Sequence, residues 1–233
     1  MKILKFQQSR FFVIILLILA TSCNTLKKYA NSATGWENDI LAFEKLDKSE
    51  SYPNNAILFT GSSSIRLWST IQEDVAPWQV IQRGFGGSKY SDLAWYAERI
   101  ITPHQYKALV VFVANDITGS PEDKSPDEII RLANHIVKVS RKHASDKPIF
   151  FIEITPTLSR WPSWEKIKAA NEALRKYADS EENVYFIQTA SHFLNENGEP
   201  RNELFMADKL HLNRDGYVIW GKVIKENLDK IVK

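Results

Sequence analysis

Two segments far apart in the chain carry residues that could together cleave an ester. The first reads Phe59-Thr60-Gly61-Ser62-Ser63-Ser64-Ile65-Arg66-Leu67-Trp68, an apolar run that ends in glycine and then a run of serines entering a helical pattern. Glycine permits a tight turn, and a serine at a helix start has its oxygen near backbone N–H groups that can stabilise an oxyanion. The same serines could equally do no more than cap the helix, a role serine favours in any protein. The second segment, Asp208-Lys209-Leu210-His211, lies just before the last helical pattern, on a loop where an acid and an imidazole can meet. Asp208 can accept the Nδ1 proton there, which leaves Nε2 free to deprotonate a hydroxyl and later protonate a leaving alkoxide. The other histidines are weaker candidates: His135 is mid-helix, His143 lies near a helix end, His104 follows a proline on a connecting loop, and His192 stands isolated after the fifth strand-like run. A metal reading of Asp208 and His211 lacks a third and a fourth ligand.

The elements that must position these groups follow from the apolar pattern. Short apolar runs at 56–60, 79–82, 108–113, 148–154 and 184–188 read as buried strands, and the stretches between them are long enough for helices. Such alternation predicts a parallel sheet with helices on both faces, a three-layer α/β domain from Trp36 to the end. Trp36, Ile40 and Phe43 share one helical face. Ser125, Pro126 and Glu128 supply an N-cap, a first-turn proline and a capping-box acid ahead of Ile129, Leu132, Ile136 and Val139. Asn213 can cap the final helix, whose apolar face is Tyr217, Trp220, Ile224, Leu228 and Ile231. Ligands in such folds sit at the carboxyl ends of the strands, so the loops after Thr60, Gln82, Val113, Ile154 and Gln188 are where chemistry is expected.

From Trp36 onward the chain resembles the SGNH (GDSL) hydrolase family, including its platelet-activating-factor-acetylhydrolase-like members. Gly61-Ser62-Ser63, with Trp68 downstream, stands where that family has Gly-Asp-Ser; the resemblance thereby implies Ser63 as nucleophile. Arg83-Gly84-Phe85-Gly86-Gly87-Ser88 is similar to its second block and implies an oxyanion-hole N–H at Gly87. Asn115-Asp116 is similar to the third block, whose asparagine amide would serve the same oxyanion along with the N–H of Ser63. Asp208 through His211, with Asn213, Gly216 and Tyr217, is similar to the fifth block. Taken singly, Gly86-Gly87 could be only a turn and Asn115 only an Asx turn at a strand end. Two departures stand out: Ser62 replaces the usual aspartate, and Val113-Ala114-Asn115 lacks the glycine normally two residues before the asparagine, so either the turn is shorter or a side chain fills a space normally empty. The fold implied is a flavodoxin-like sandwich of five parallel strands, and the activity implied is ester hydrolysis through an acyl-enzyme, with no cofactor.

Composition narrows the partners. Of 233 residues, 44% are hydrophobic and 25% charged, which is ordinary globular usage, and the formal charge of +2 gives no large field for nucleic acid. The expected partner is a small neutral or mixed-charge molecule. Lys2, Lys5 and Arg10 precede an apolar run, 11–20, which is too short to span a bilayer and reads as a signal peptide of the lipoprotein type over 1–22. Leu19-Ala20-Thr21-Ser22-Cys23 resembles a bacterial lipobox. Cys23, the single cysteine, is read as a lipid attachment point, since it has no partner for a disulfide; an ordinary signal peptide is the alternative. Residues 23–35 are expected to be a flexible tether, and Asn24 after the cysteine favours the outer membrane of the cell envelope. Trp161 and Trp164, near the fourth strand's end, could stack sugar rings or simply pack in the core. The expected substrate is thus a short acyl or O-acetyl ester of a glycan, with a lipid or lysophospholipid ester as the enzymatic alternative and a non-catalytic glycan-binding lipoprotein as the alternative outside enzymes.

Overall fold

Each of the five apolar runs forms a strand in the computed structural model, which describes residues 26–232. The strands are β1 (Ile57–Gly61), β2 (Val80–Gly84), β3 (Ala108–Phe112), β4 (Ile149–Ile152) and β5 (Val184–Ile187). All pairings are parallel, in the order β2-β1-β3-β4-β5. The continuous apolar runs are explained by burial on both faces, because successive side chains point to opposite sides of a strand. Leu58, Leu109, Val111, Ile149 and Phe151 enter one core. Ile57, Phe59, Val110, Phe112, Phe150 and Ile152 enter the other.

The first core is covered by α2 (Glu37–Ser49), α5 (Tyr90–Ile101), α6 (Pro126–His143) and α7 (Trp164–Ser180), and the short α1 (Ala30–Ala33) joins them. The second is covered by α8 (Arg214–Ile231) and the short α3 (Ser63–Arg66) and α4 (Ile71–Asp74). Helix starts follow the sequence signals: Ser125 Oγ accepts from the Glu128 N–H and Asn213 Oδ1 from the Gly216 N–H. In the second core Trp68 is fully buried, stacked on Tyr217 with centroids 5.5 Å apart, and in contact with Trp220 at 5.1 Å. That cluster fastens the helix behind β1 to the last helix of the chain. The strand order turns at β1, with β2 on one side and β3 on the other. The crevice at the carboxyl ends of β1 and β3 is therefore the place where this architecture accepts a ligand.

One expectation is corrected. The segment 26–35 is not a free tether. Ala33 is fully buried, the Tyr96 hydroxyl donates to its carbonyl at 2.9 Å, and the Tyr29 hydroxyl donates to Glu128. Tyr29 and Ala33 are apolar enough to bury, and α5 and α6 leave a surface for them, so the folded unit starts before Trp36. Cys23 and the expected signal peptide lie outside the described residues. Among the described residues no helix is long and apolar enough to cross a membrane.

Candidate active site

Ser63 stands at the first position of α3, directly after β1. The turn that puts it there depends on Gly61, whose φ of +129° is open to glycine and whose added Cβ would lie 1.8 Å from the Phe112 carbonyl oxygen. The close approach lets the Ser62 N–H donate to that same oxygen at 2.9 Å, while the Phe85 N–H donates to the Gly61 carbonyl. The nucleophile turn is thereby pinned between β2 and β3. Ser62 borders the cleft but is buried, whereas Ser63 is half-buried and faces it with Ser64, Asn115, Arg160, Leu210 and His211. The Ser63 N–H has no acceptor among the described residues.

His211 reaches the cleft from the other end of the chain. Its Nε2 lies 2.9 Å from Ser63 Oγ and its Nδ1 2.6 Å from Asp208 Oδ2, an unbroken line from hydroxyl to carboxylate. The loop is built to hold it. Asp208 Oδ1 accepts the N–H groups of Leu210 and His211, both at 3.0 Å, and Lys209 takes a left-handed φ of +57° to close the turn. The Met206 N–H donates to the His211 carbonyl at 2.7 Å, and Asn213 Nδ2 donates to the Glu203 carbonyl at 2.7 Å. Partial burial opposes charge on Asp208, but the bonds from the His211 ring and from two backbone N–H groups outweigh it and hold the carboxyl down to about 2. A carboxylate so placed fixes the His211 tautomer with Nδ1 protonated, which leaves Nε2 able to accept the Ser63 proton.

The two ends are also tied to each other. The Tyr217 hydroxyl on α8 donates to the Ser64 carbonyl at 2.9 Å. Arg214, on the same helix, binds both oxygens of Asp74 at 2.6 and 2.7 Å, and Asp74 also accepts the Trp68 Nε1–H at 2.7 Å.

Asn115 follows β3 and lines the cleft, its Nδ2 donating to the Ser88 carbonyl at 3.1 Å. The next residue, Asp116, is buried and accepts the Tyr90 N–H at 2.9 Å and faces Lys124 Nζ at 3.2 Å. Burial pushes its carboxyl above the ordinary range, against these two contacts. Val113 is fully buried in the first core and does not line the cleft. Gly87, at φ +75°, does not line the Ser63 cleft but a neighbouring cavity under Trp36, with Tyr29, Lys89, Asp92 and Glu122. The next residue, Ser88, offers its carbonyl to Asn115 in the cleft, and the Gly87 N–H has no acceptor among the described residues.

The other candidates lie apart. His192 belongs to a separate cavity with Arg201 and Glu226, His104 is buried near Asp47, and His143 Nε2 bonds the His104 carbonyl. Of the two readings of Trp161 and Trp164, packing is the one observed: they stack on each other at 5.8 Å, Trp164 is buried in the first core with Trp161 against it, and neither lines the cleft. Trp36 lines the cavity that holds Gly87. Sequence reasoning also missed Arg160, which enters the cleft from the 3-10 turn after β4 and donates to the Ala114 carbonyl and to Asn115 Oδ1. The one available signal was its position on a loop at a strand's carboxyl end. Among the described residues no group of three His, Cys, Asp or Glu is placed to hold a metal ion.

No curated protein matches this sequence. The fold is similar to that of a Streptococcus pneumonia protein named for platelet activating factor, at TM-score 0.72 and 20% identity over 90% of this chain and 99% of that one. It is also similar to a GDSL-like lipase from Bacteroides thetaiotaomicron (TM-score 0.70, 14% identity, 83% and 98% of the two chains). A carbohydrate esterase family 3 protein from Talaromyces cellulolyticus matches at TM-score 0.58 and 15% identity, over 76% and 97%. The model of the GDSL-like lipase/acylhydrolase family matches residues 59–219, from the middle of β1 into α8, a span that holds Ser63, Asn115, Asp208 and His211. This chain therefore belongs to the GDSL-like lipase/acylhydrolase family and is a carboxylic ester hydrolase.

Proposed function

We propose that the protein hydrolyses a short acyl ester, an O-acetyl group on a carbohydrate, with Ser63 as nucleophile, His211 as general base and acid, and Asp208 as the group that orients it. The observation that carries this reading is the hydrogen-bonded line Ser63 Oγ, His211 Nε2, His211 Nδ1, Asp208 Oδ2. Ser63 Oγ attacks the ester carbonyl as its proton passes to Nε2. The tetrahedral oxyanion collapses by expelling the alkoxide, which takes that proton and leaves as the alcohol. Water then attacks the acyl-enzyme, giving a proton to His211, and the carboxylic acid departs as Ser63 recovers its hydrogen. The N–H groups of Ser63 and Gly87 and the amide of Asn115 serve the oxyanion. Each such donor contributes about 3 kcal/mol to the transition state.

The substrate assignment rests on size and polarity. The cleft at Ser63 is narrow, with room for little more than one water-sized group, which favours a short acyl group over a long chain. A second, more open cavity of about 410 Å³ sets the Trp36 indole among Lys89, Asp92 and Glu122, a mixture suited to a sugar ring. The fold likeness to a carbohydrate esterase agrees with this reading. We also propose that Cys23 carries a lipid anchor that holds the exported protein at the cell envelope, in the outer membrane.

The test is hydrolysis of p-nitrophenyl acetate and of acetylated sugars, compared with lysophospholipids. Wild type is expected to cleave the short esters, Ser63→Ala to lose at least ~10³-fold in kcat while remaining folded, and Ser62→Ala to keep most activity. A lysophospholipid preference would reassign the substrate, and an inactive Ser62→Ala beside an active Ser63→Ala would move the nucleophile.

A further inference from the structure

We propose that Arg160 is a positioning residue of the esterase, the group that locks the Asn115 amide with its nitrogen toward the oxyanion. The inference rests on the oxyanion role proposed for Asn115 and adds what enforces it.

An asparagine amide can be turned by half a revolution with little change of shape, and the two orientations are chemical opposites: one offers an oxyanion a hydrogen, the other a carbonyl oxygen. Two neighbours remove the choice here. A guanidinium has donors only, so the atom of Asn115 that meets Arg160 must be Oδ1. The Ser88 carbonyl accepts only, so the atom that meets it at 3.1 Å must be Nδ2. Both demands select the same orientation. Nδ2 carries two hydrogens, of which one goes to Ser88, and Asn115 lines the cleft with Ser63 and His211. The second hydrogen is left for the oxyanion.

Arg160 is itself fixed. Its other terminal nitrogen donates to the Ala114 carbonyl, so the planar fork grips two successive residues of the turn after β3. The 3-10 turn that carries it is capped by Thr157 Oγ1, which accepts the Arg160 N–H at 3.3 Å. The adjacent Ser159 N–H donates to the Lys209 carbonyl at 3.1 Å, joining this turn to the loop that holds His211. A lysine could neutralise the same place but could not span both acceptors with a planar fork.

The experiment is a double-mutant cycle of Arg160→Met and Asn115→Ala, read as kcat and KM on p-nitrophenyl acetate. Arg160→Met alone is expected to lower kcat by about 10- to 100-fold with KM within about threefold, a part of the 10²–10³-fold seen when an oxyanion donor is removed. In the Asn115→Ala background the same substitution is expected to cost less than about threefold, because no amide remains to orient. Equal losses in both backgrounds, or a change in KM alone, would overturn the proposal. Arg160→Lys in the same cycle supplies the reading if the methionine variant does not fold, with a kcat loss of about tenfold expected in the parent background only. Wild-type kcat in Asn115→Ala would show instead that the underlying oxyanion assignment fails.

Discussion

Asp208 is nearly half exposed, at 46%, and yet holds its charge more firmly than an ordinary aspartate, because its two oxygens accept three N–H groups of its own loop. Its folded value of about 2 has a kinetic consequence. The carboxylate stays ionised across the range in which an esterase is assayed, so the acid limb of kcat/KM does not report protonation of Asp208. Asp208→Asn is expected to lower kcat by ~10³–10⁴-fold with KM almost unchanged, since the amide no longer holds the Nδ1-protonated tautomer or stabilises the imidazolium. A variant that raised KM and spared kcat would place Asp208 in substrate binding. The pair was legible in the sequence because an acid three residues before a histidine, on a loop, is a local pattern. Arg160 was not legible, because its partner Asn115 lies 45 positions away and nothing in either segment names the other.

At the scale of elements, the site depends on holding the start of α3 and the start of α8 in one frame. Asp74 is the buried junction, bonded to Trp68 on one side and to Arg214 on the other. Burial works against its charge, but Arg214, Trp68 and Thr70 together depress its folded value. A depressed carboxyl contributes stability that is complete above the unfolded value of about 3.9 and is lost as pH falls from there through the folded value. Asp74→Asn is thus expected to lower stability by ~1–3 kcal/mol at neutral pH, with the gap to wild type closing below about pH 4. Thermal unfolding at pH 7 and pH 3 checks this, and a gap that widened in acid would contradict it. The strands and the capped helices were readable because apolar runs and caps are local signals. The docking of 26–35 was not, since a polar, small-residue stretch acquires its buried positions, Ala33 foremost, only from the surface that α5 and α6 present.

The whole molecule places its chemistry at one end of the sheet and brings its N-terminal segment over the same region, with Trp36 set edge-on to Phe85 at 5.9 Å and above Gly87. Leu26 already packs on the core, so only Asn24 and Thr25 separate the proposed lipid-bearing Cys23 from the folded unit. The proposed anchor would keep the cleft close to the envelope surface, where an acetylated glycan is a fitting substrate. Cys23→Ala is expected to move the protein from the membrane to the soluble fraction and to abolish incorporation of a labelled fatty acid, with kcat/KM unchanged. Persistent labelling of that variant would locate the anchor elsewhere. The resemblance seen in the sequence blocks extended to the fold because those blocks fall at strand ends. It reached the cavity beside Gly87 only in part, since Tyr29, Trp36 and Glu122, which also line it, lie outside every block.

The most direct test of the account is capture of the nucleophile. Protein treated with a fluorophosphonate and analysed by peptide mass spectrometry should carry one adduct, on Ser63, formed in step with loss of esterase activity and slowed at least ~10²-fold in His211→Ala. An adduct on Ser62 or Ser64, or full activity with Ser63 modified, would contradict it.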